Sequence, residues 1–409
     1  MKQKVFALTG VTGHLGRHVF FEIIKDHLDN LDTLEIFILG RASYDQSLSE
    51  RIEDILLNDG MDYLSMSPNN FPLILSFLRT NIRCINIDLS TDELINSTEY
   101  RKLVGKRIDY FLHIAASTDF RDNAKTREWL NRTNVIGTSK ILELVSSLIV
   151  KEFGYVSTAY ACGKTYGDVK PDYTNLDQEF RNPYEKSKLE GELLVRTFQQ
   201  RTGIRCRIFR PSTICGRLIE QKKGAINKFD VFYSWAAFFL RWKIKQLNYT
   251  EDIYNIPLKV NLRIMVNKNA GLNIVPVDFA AKILYQICIQ NIEGDYFHLV
   301  NEVETPHEFY IPRLLEVINL SGFSFVSSTP NNLSLLENFY YKTIGTIFEG
   351  YMIQNAIKFN TDNLQDLYKR LNLYCPSIDE NDFNYLVQYA KSKNFGLQLT
   401  TKSEPVSFP

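Results

Sequence analysis

The chain predicts an α/β fold: a doubly wound parallel sheet followed by a smaller, mostly helical C-terminal part. Three observations carry this. Short β-branched or apolar runs alternate with longer helical patterns over the first 215 residues, a glycine-rich turn follows the first run, and the rhythm breaks near residue 217. Strand–helix alternation implies parallel strands with helices on both faces.

Strands are expected at Val5–Leu8, Leu34–Leu39, Cys84–Ile87, Tyr110–Ile114, Gly154–Ser157 and Arg205–Phe209. Helices are expected near 15–27, 91–104, 124–150 and 184–202, and in the C-terminal third over 332–358 and 379–392. At roughly 150 residues per domain, 409 residues suggest two units. We place a nucleotide-binding domain at 1–216 and a substrate domain at 217–409, with 272–290 returning to pack on the first. The last ten residues read as a frayed tail.

Composition excludes several classes. With 44% hydrophobic, 13% aromatic and 23% charged residues, the chain is neither disordered nor fibrous. Forty-seven basic and 47 acidic residues cancel, which leaves no global field for nucleic acid. Cys84, Cys162, Cys206, Cys215, Cys288 and Cys375 show no paired spacing for zinc or a redox dithiol and are read as reduced and structural, with no metal expected. The N-terminal apolar run is too short for a signal peptide, and Val231–Trp242 falls short of the ~20 residues of a membrane span. A cytoplasmic protein without a transmembrane segment is therefore expected.

The segment Thr9-Gly10-Val11-Thr12-Gly13-His14-Leu15-Gly16 follows the first strand and opens a helix with Val19, Phe20 and Ile23 on its apolar face. In that context Gly10 makes the tight turn, Gly13 lets backbone N–H groups approach a pyrophosphate, and Gly16 seats the helix on the strand. The helix N-terminus adds partial positive charge, which makes this a Rossmann-type dinucleotide site. At the end of the second strand Arg41 stands where an acidic residue would select NAD. Its guanidinium can pair with a 2′-phosphate, with Arg51 as a second contact, so NADP(H) is favoured over the alternative of two solvated surface charges. Asp88-Leu89 and Ala115-Ala116-Ser117 follow the third and fourth strands, placed either to touch adenine and ribose or simply to turn the chain.

Tyr184 and Lys188 are four apart behind Pro183, a residue that suits a helix start, and so share one helical face. A nearby ammonium favours the ionised phenol, which would tune Tyr184 for proton transfer. The strand Tyr155-Val156-Ser157-Thr158-Ala159-Tyr160 ends in hydroxyl residues, with Thr158 lying 26 positions upstream of Tyr184.

Together with His113-Ile114-Ala115-Ala116, Asn134-Val135-Ile136-Gly137-Thr138, Arg210-Pro211-Ser212 and Phe297-His298-Leu299-Val300-Asn301, these pieces resemble the extended short-chain dehydrogenase/reductase superfamily over residues 4 to 300. The resemblance implies that Thr158 is the catalytic Ser/Thr, that Lys188 holds the nicotinamide ribose, that Pro211 and Ser212 border the cofactor, and that Asn134 supports a proton-relay water, unless it is a helix-surface or capping amide. The strings VSTAY, GRAS…SER, NPYEKSKLEGE and LNIVPVDFAA look most like the branch of thioester reductases and fatty acyl-CoA reductases. That implies NADPH-dependent reduction of an acyl-CoA or of an acyl chain on a carrier protein, to an aldehyde or, with a second hydride, to an alcohol. A carrier domain often precedes such reductases. None lies within these residues, so the thioester is expected in trans.

Beyond residue 217 the aromatic run Phe232, Tyr233, Trp235, Phe238, Phe239 reads as core, acyl tunnel or membrane-touching face. Lys222, Lys223, Lys228, Arg241, Lys243 and Lys245 read as a solvated face or as a contact for CoA phosphates or an acidic carrier. Pro276 and Asp278 resemble a hinge motif and are given a structural role. Two other activities stay open: an extended-family enzyme acting on a nucleotide sugar or a secondary alcohol, and an NADP-binding sensor without catalysis.

Overall fold

The computed structural model describes residues 3–91, 98–248 and 251–399. Seven strands form its main sheet: β1 Lys4–Thr9, β2 Leu34–Gly40, β3 Ile82–Asn86, β4 Arg107–His113, β5 Ile149–Val156, β6 Arg205–Pro211 and β7 Tyr296–Leu299. All run parallel in the order β7-β6-β5-β4-β1-β2-β3. The order reverses between β1 and β4, so the connections leave toward opposite faces there and open a crevice at the strand C-termini. Thr9 pairs in register with Leu39 on one side and His113 on the other, which puts the glycine turn at that crevice.

Side chains alternate across the pleat. Phe6, Leu8, Ile36 and Ile38 are buried on one face with Val19 and Ile23 of α1 (His14–Asp26). Ala7, Phe37, Phe111, Phe153 and Ile208 are buried on the other face. There they meet Ile141 and Val145 of α2, continuous over 124–146 with a π-helical stretch at Asn131–Ile136, and Val195 and Phe198 of α3 (Pro183–Thr202). Each fully buried Phe, Leu or Ile contributes about 1.5–3 kcal/mol, so the two faces together hold the sheet rigid under the crevice.

Several expectations are revised. Between β2 and β3 stand helices Leu48–Asp54 and Phe71–Asn81, the first opened by a Ser47–Glu50 capping box. The helix expected over 91–104 falls partly on 92–97, outside the described residues, and its described end holds only a 3₁₀ turn at Tyr100–Lys102. Ile149 and Val150 leave the helix pattern because they pair with Arg107 and Ile108 in the sheet. The span 332–358 divides into Leu335–Lys342 and a second helix broken off at Thr343, then ends in strand Ile357–Phe359. The tail 400–409 lies outside the described residues.

The C-terminal half has its own core, and α4 (Phe232–Leu247) runs through it. Phe232, Tyr233, Trp235 and Phe239 are buried there, while Phe238 stacks on Phe339. The aromatic run is therefore core. Two segments of this half return to the sheet: β7, which pairs with β6, and α5 (Val277–Ile289), whose Phe279, Ile283 and Ile287 join the core beneath α1. The helix Ile344–Met352, α6, closes the crevice from the opposite side. Among the described residues no helix is long and apolar enough to cross a membrane.

Candidate active site

One cavity of about 730 Å³ runs from the glycine turn to α6. Its floor is Thr9, Gly10, Thr12, Gly13, His14, Leu15 and Gly16. Gly10 has φ +80°, and a Cβ there would lie 2.6 Å from the amide nitrogen of Ala115; a Cβ on Gly16 would lie 2.1 Å from the carbonyl oxygen of Gly10. Only glycine permits this close packing. The cradle left over the N-terminus of α1 is the shape and polarity that a pyrophosphate needs.

A buried relay clamps the turn to its neighbours. Thr9 Oγ1 accepts the N–H groups of Ile114 and Ala115, each at 3.1 Å, so its own proton goes to Nδ1 of His113 at 2.7 Å. Nε2–H of His113 then donates to Thr138 Oγ1 at 3.1 Å, and Thr138 donates to the carbonyl of Asn134 at 2.6 Å. Burial holds His113 at a pKa of about 3, which keeps the ring neutral and its tautomer set by these partners.

Arg41, Asp88 and Leu89 line the adenosine end, and Ala115, Ala116 and Ser117 line the opposite rim. Arg41 reaches toward Asp88, Nη1 to carboxylate 3.6 Å, with its side chain 62% exposed. Arg51 does not line the cavity; its Nη1 donates to the carbonyl of Arg41 at 2.7 Å. Its observed contact buttresses the Arg41 turn. Asn134 likewise lies behind the wall. Its Oδ1 accepts from the Ser117 N–H at 2.8 Å, and its Nδ2 donates to the Ser117 carbonyl at 3.0 Å and to Ser187 Oγ at 2.9 Å. With these bonds the amide ties the Ser117 loop to α3, and its side chain does not line the cavity.

Thr158, Tyr184, Lys188, Pro211 and Ser212 meet on the middle wall. Thr158 lies two residues beyond β5 and caps the 3₁₀ turn Ala159–Cys162. Tyr184 and Lys188 project from the first turns of α3, where Pro183 is the first residue and Asn182 caps the helix by accepting the Glu185 N–H at 3.1 Å. Lys188 is buried, with Nζ over the Tyr155 ring at 4.2 Å, and burial lowers its pKa to about 7 against the opposing pull of Glu192. Burial raises the pKa of Tyr184, and a hydrogen bond with Thr158 partly counters the shift. The phenol is thus held neutral: desolvation, reinforced by the neighbouring Glu185 carboxylate, sets its titration, and the lowering expected from Lys188 is not what governs it.

The outer wall was not legible in the sequence. It comprises Phe120, Tyr160, Val231, Leu272 and, from α6, Ile344, Ile347, Phe348 and Tyr351. Of the basic group only Lys228 lines the cavity, donating to Thr118 Oγ1 at 2.6 Å; Lys243 is buried, its Nζ donating to the carbonyls of Ile253 and Ile318, both at 2.7 Å. Asp278 is also structural. Its carboxylate accepts the N–H groups of Leu218, Ile219 and Glu220 at 3.1, 2.7 and 2.7 Å. Among the described residues no group of three His, Cys, Asp or Glu is placed to hold a metal.

Parallel sheet, reversal point and glycine cradle define a dinucleotide-binding protein of the Rossmann type. The family model described as "Male sterility protein" matches residues 8–284, more than half of the chain, and the chain belongs to that family, within the thioester reductase and fatty acyl-CoA reductase branch. It is 24% identical over 400 residues to a linear gramicidin synthase of Brevibacillus parabrevis, covering 93% of this chain and 7% of that protein. It is 27% identical over 291 residues to fatty acyl-CoA reductase 1 of Mus musculus, covering 67% of this chain and 52% of that one. The chain thus spans about half or less of these relatives' length. Among solved structures, the terminal R domain from the myxalamid PKS-NRPS biosynthetic pathway superposes with a TM-score of 0.68 at 19% identity, covering 98% of this chain and 93% of that one. A dTDP-glucose 4,6-dehydratase from Streptomyces venezuelae with NAD bound superposes at 0.60 and 15% identity, covering 95% and 97%.

Proposed function

We propose that this chain is an NADPH-dependent reductase of acyl thioesters, presented on CoA or on a carrier protein, that yields an aldehyde or, where a second reduction follows, an alcohol. The observation that carries the proposal is the convergence of Thr158, Tyr184 and Lys188 on one wall of a cavity that begins at the glycine cradle. Membership of the family supports it, as does the likeness to a biosynthetic reductase domain.

The cradle residues Gly10 to Gly16 would hold the pyrophosphate, Arg41 the 2′-phosphate and Lys188 the nicotinamide ribose. When bound, the dinucleotide supplies the hydride. As the thioester carbonyl carbon gains that hydride, charge collects on its oxygen, and Thr158 and Tyr184 are the donors facing it. One such preorganised donor is worth about 10²–10³ in kcat. Tyr184 then gives up its proton to the oxygen, a step for which the neutral phenol is the required form. The hemithioacetal breaks its C–S bond, the sulfur leaves as thiol with the hydroxyl proton, and an aldehyde remains.

The aliphatic and aromatic outer wall suits an acyl chain. The continuous apolar surface of α6 ranks a nucleotide-sugar substrate second despite the dehydratase likeness. The test is NADPH oxidation with a panel of acyl-CoA thioesters, with aldehyde and alcohol products followed. Tyr184→Phe is expected to lower the thioester-dependent rate by about 10²–10⁴. Turnover with sugar nucleotides or secondary alcohols alone, or cofactor binding without any turnover, would overturn the proposal.

A further inference from the structure

Resting on the assignment of Thr158 and Tyr184 above, we propose that Tyr351 is a positioning residue for Tyr184: from inside the substrate cavity it fixes the first turn of α3 against the turn that carries Thr158.

The residues on either side of Tyr184 are unusual for a helix start. Arg181 and Glu185 form an ion pair at 3.3 Å with side chains 1% and 0% exposed. The Arg181 guanidinium also donates to the carbonyl of Gly163, which closes the 3₁₀ turn begun by Thr158. The turn bearing one proposed oxyanion donor is thereby tied to the helix bearing the other. A buried ion pair adds little net stability, because the desolvation of both charges offsets their attraction. Its effect here is geometric.

Tyr351 completes the arrangement from α6, 166 positions beyond Glu185 in the chain. Its hydroxyl donates to Glu185 Oε1 at 2.7 Å and accepts from Asn182 Nδ2 at 2.7 Å. Asn182 is the cap of α3, so the phenol holds both the cap and the carboxylate of the turn that presents Tyr184. Its ring lies edge-on to Tyr160 at 5.2 Å and against Phe120 at 5.8 Å, and Phe120 meets the Tyr184 ring at 5.3 Å. The same ring lines the cavity beside Ile344, Ile347 and Phe348 of α6. An acyl chain that seats α6 therefore seats the hydroxyl that sets Tyr184, and misplacing a reacting group by about 1 Å costs up to 10²-fold in rate.

Tyr351→Phe keeps the ring and removes both hydrogen bonds. Tyr340→Phe is the control: Tyr340 is a buried phenol whose hydroxyl accepts from Trp235 Nε1 at 3.3 Å and donates to Met352 Sδ of α6 at 3.5 Å, so its loss perturbs α6 without touching a bond to α3. Tyr351→Phe is expected to lower kcat for acyl-CoA reduction about 10–100-fold, with KM and NADPH affinity within about twofold. It is also expected to speed amide hydrogen exchange at 184–187, and Tyr340→Phe to change neither. If Tyr351→Phe does not fold, Asn182→Ser keeps the cap oxygen but not the donor to Tyr351, and a kcat loss of about 3–10-fold is expected. An unchanged kcat, an unchanged exchange pattern, or an equal kcat loss in Tyr340→Phe overturns the proposal. A wild-type protein that turns over no thioester would sink the function proposed above instead; the exchange pattern then decides this one alone.

Discussion

Lys188 concentrates the electrostatics of the site in one amine. An unfolded lysine titrates at about 10.4, whereas the buried amine titrates at about 7. Between those values the unfolded chain binds the extra proton, so stability rises as pH increases through that window; the full cost of burying the charge is present below it. Lys188→Met is accordingly expected to raise the melting temperature of the cofactor-free protein at pH 6, with the gap to wild type narrowing steadily as the pH is raised toward 10. A gap that stays constant across that range would contradict the buried-ammonium account. Arg41 works on the opposite, exposed rim, where its charge is screened by water. Arg41→Ala should reduce the preference for NADPH over NADH about tenfold or more, read from the ratio of KM values, with Arg51→Ala weaker because Arg51 acts through the Arg41 carbonyl.

At the scale of elements, α5 works as a fastener. Asp278 in its first turn gathers three consecutive N–H groups at 218–220, where the chain leaves the sheet for its C-terminal half. Leaving buried donors unpaired costs about 1–3 kcal/mol each. Asp278→Ala should therefore lower the unfolding free energy by about 3 kcal/mol in denaturant titrations, and a loss below about 1 kcal/mol would show that water replaces the carboxylate. Elements whose pattern is set locally were legible beforehand: the strands by β-branched runs, α3 by Pro183 and the Tyr184–Lys188 spacing, and the glycine turn by its place between strand and helix. Helices Leu48–Asp54 and Phe71–Asn81 were not, because each derives most of its burial from Ile52, Ile74 and Phe77 docking on a core that includes residues from elsewhere in the chain. Asn134 shows the same limit at a single position. Its helix was evident, but its partners Ser117 and Ser187 lie 17 and 53 residues away.

Across the whole molecule, the cavity joins walls from both halves, so a dinucleotide bound there contacts the folded state only. NADPH at 100 times its dissociation constant should add about 2.7 kcal/mol to the folded state. Thermal melts with NADPH and with NADH at equal concentrations check this, and the larger shift is expected for NADPH. Equal shifts would remove the role given to Arg41. The amino-acid order by itself determined the parallel α/β class, the glycine cradle and the shared helical face of Tyr184 and Lys188, because periodicity, glycine and helical spacing act over a few residues, whereas Thr158 was singled out by the family resemblance. Tertiary structure alone decided that Tyr184 is held neutral, that Arg51 and Asn134 buttress rather than face the cavity, that the aromatic run of α4 is core, and that α6 closes the pocket. Those outcomes depend on desolvation and on contacts between distant segments, and neither is encoded in the spacing of neighbours.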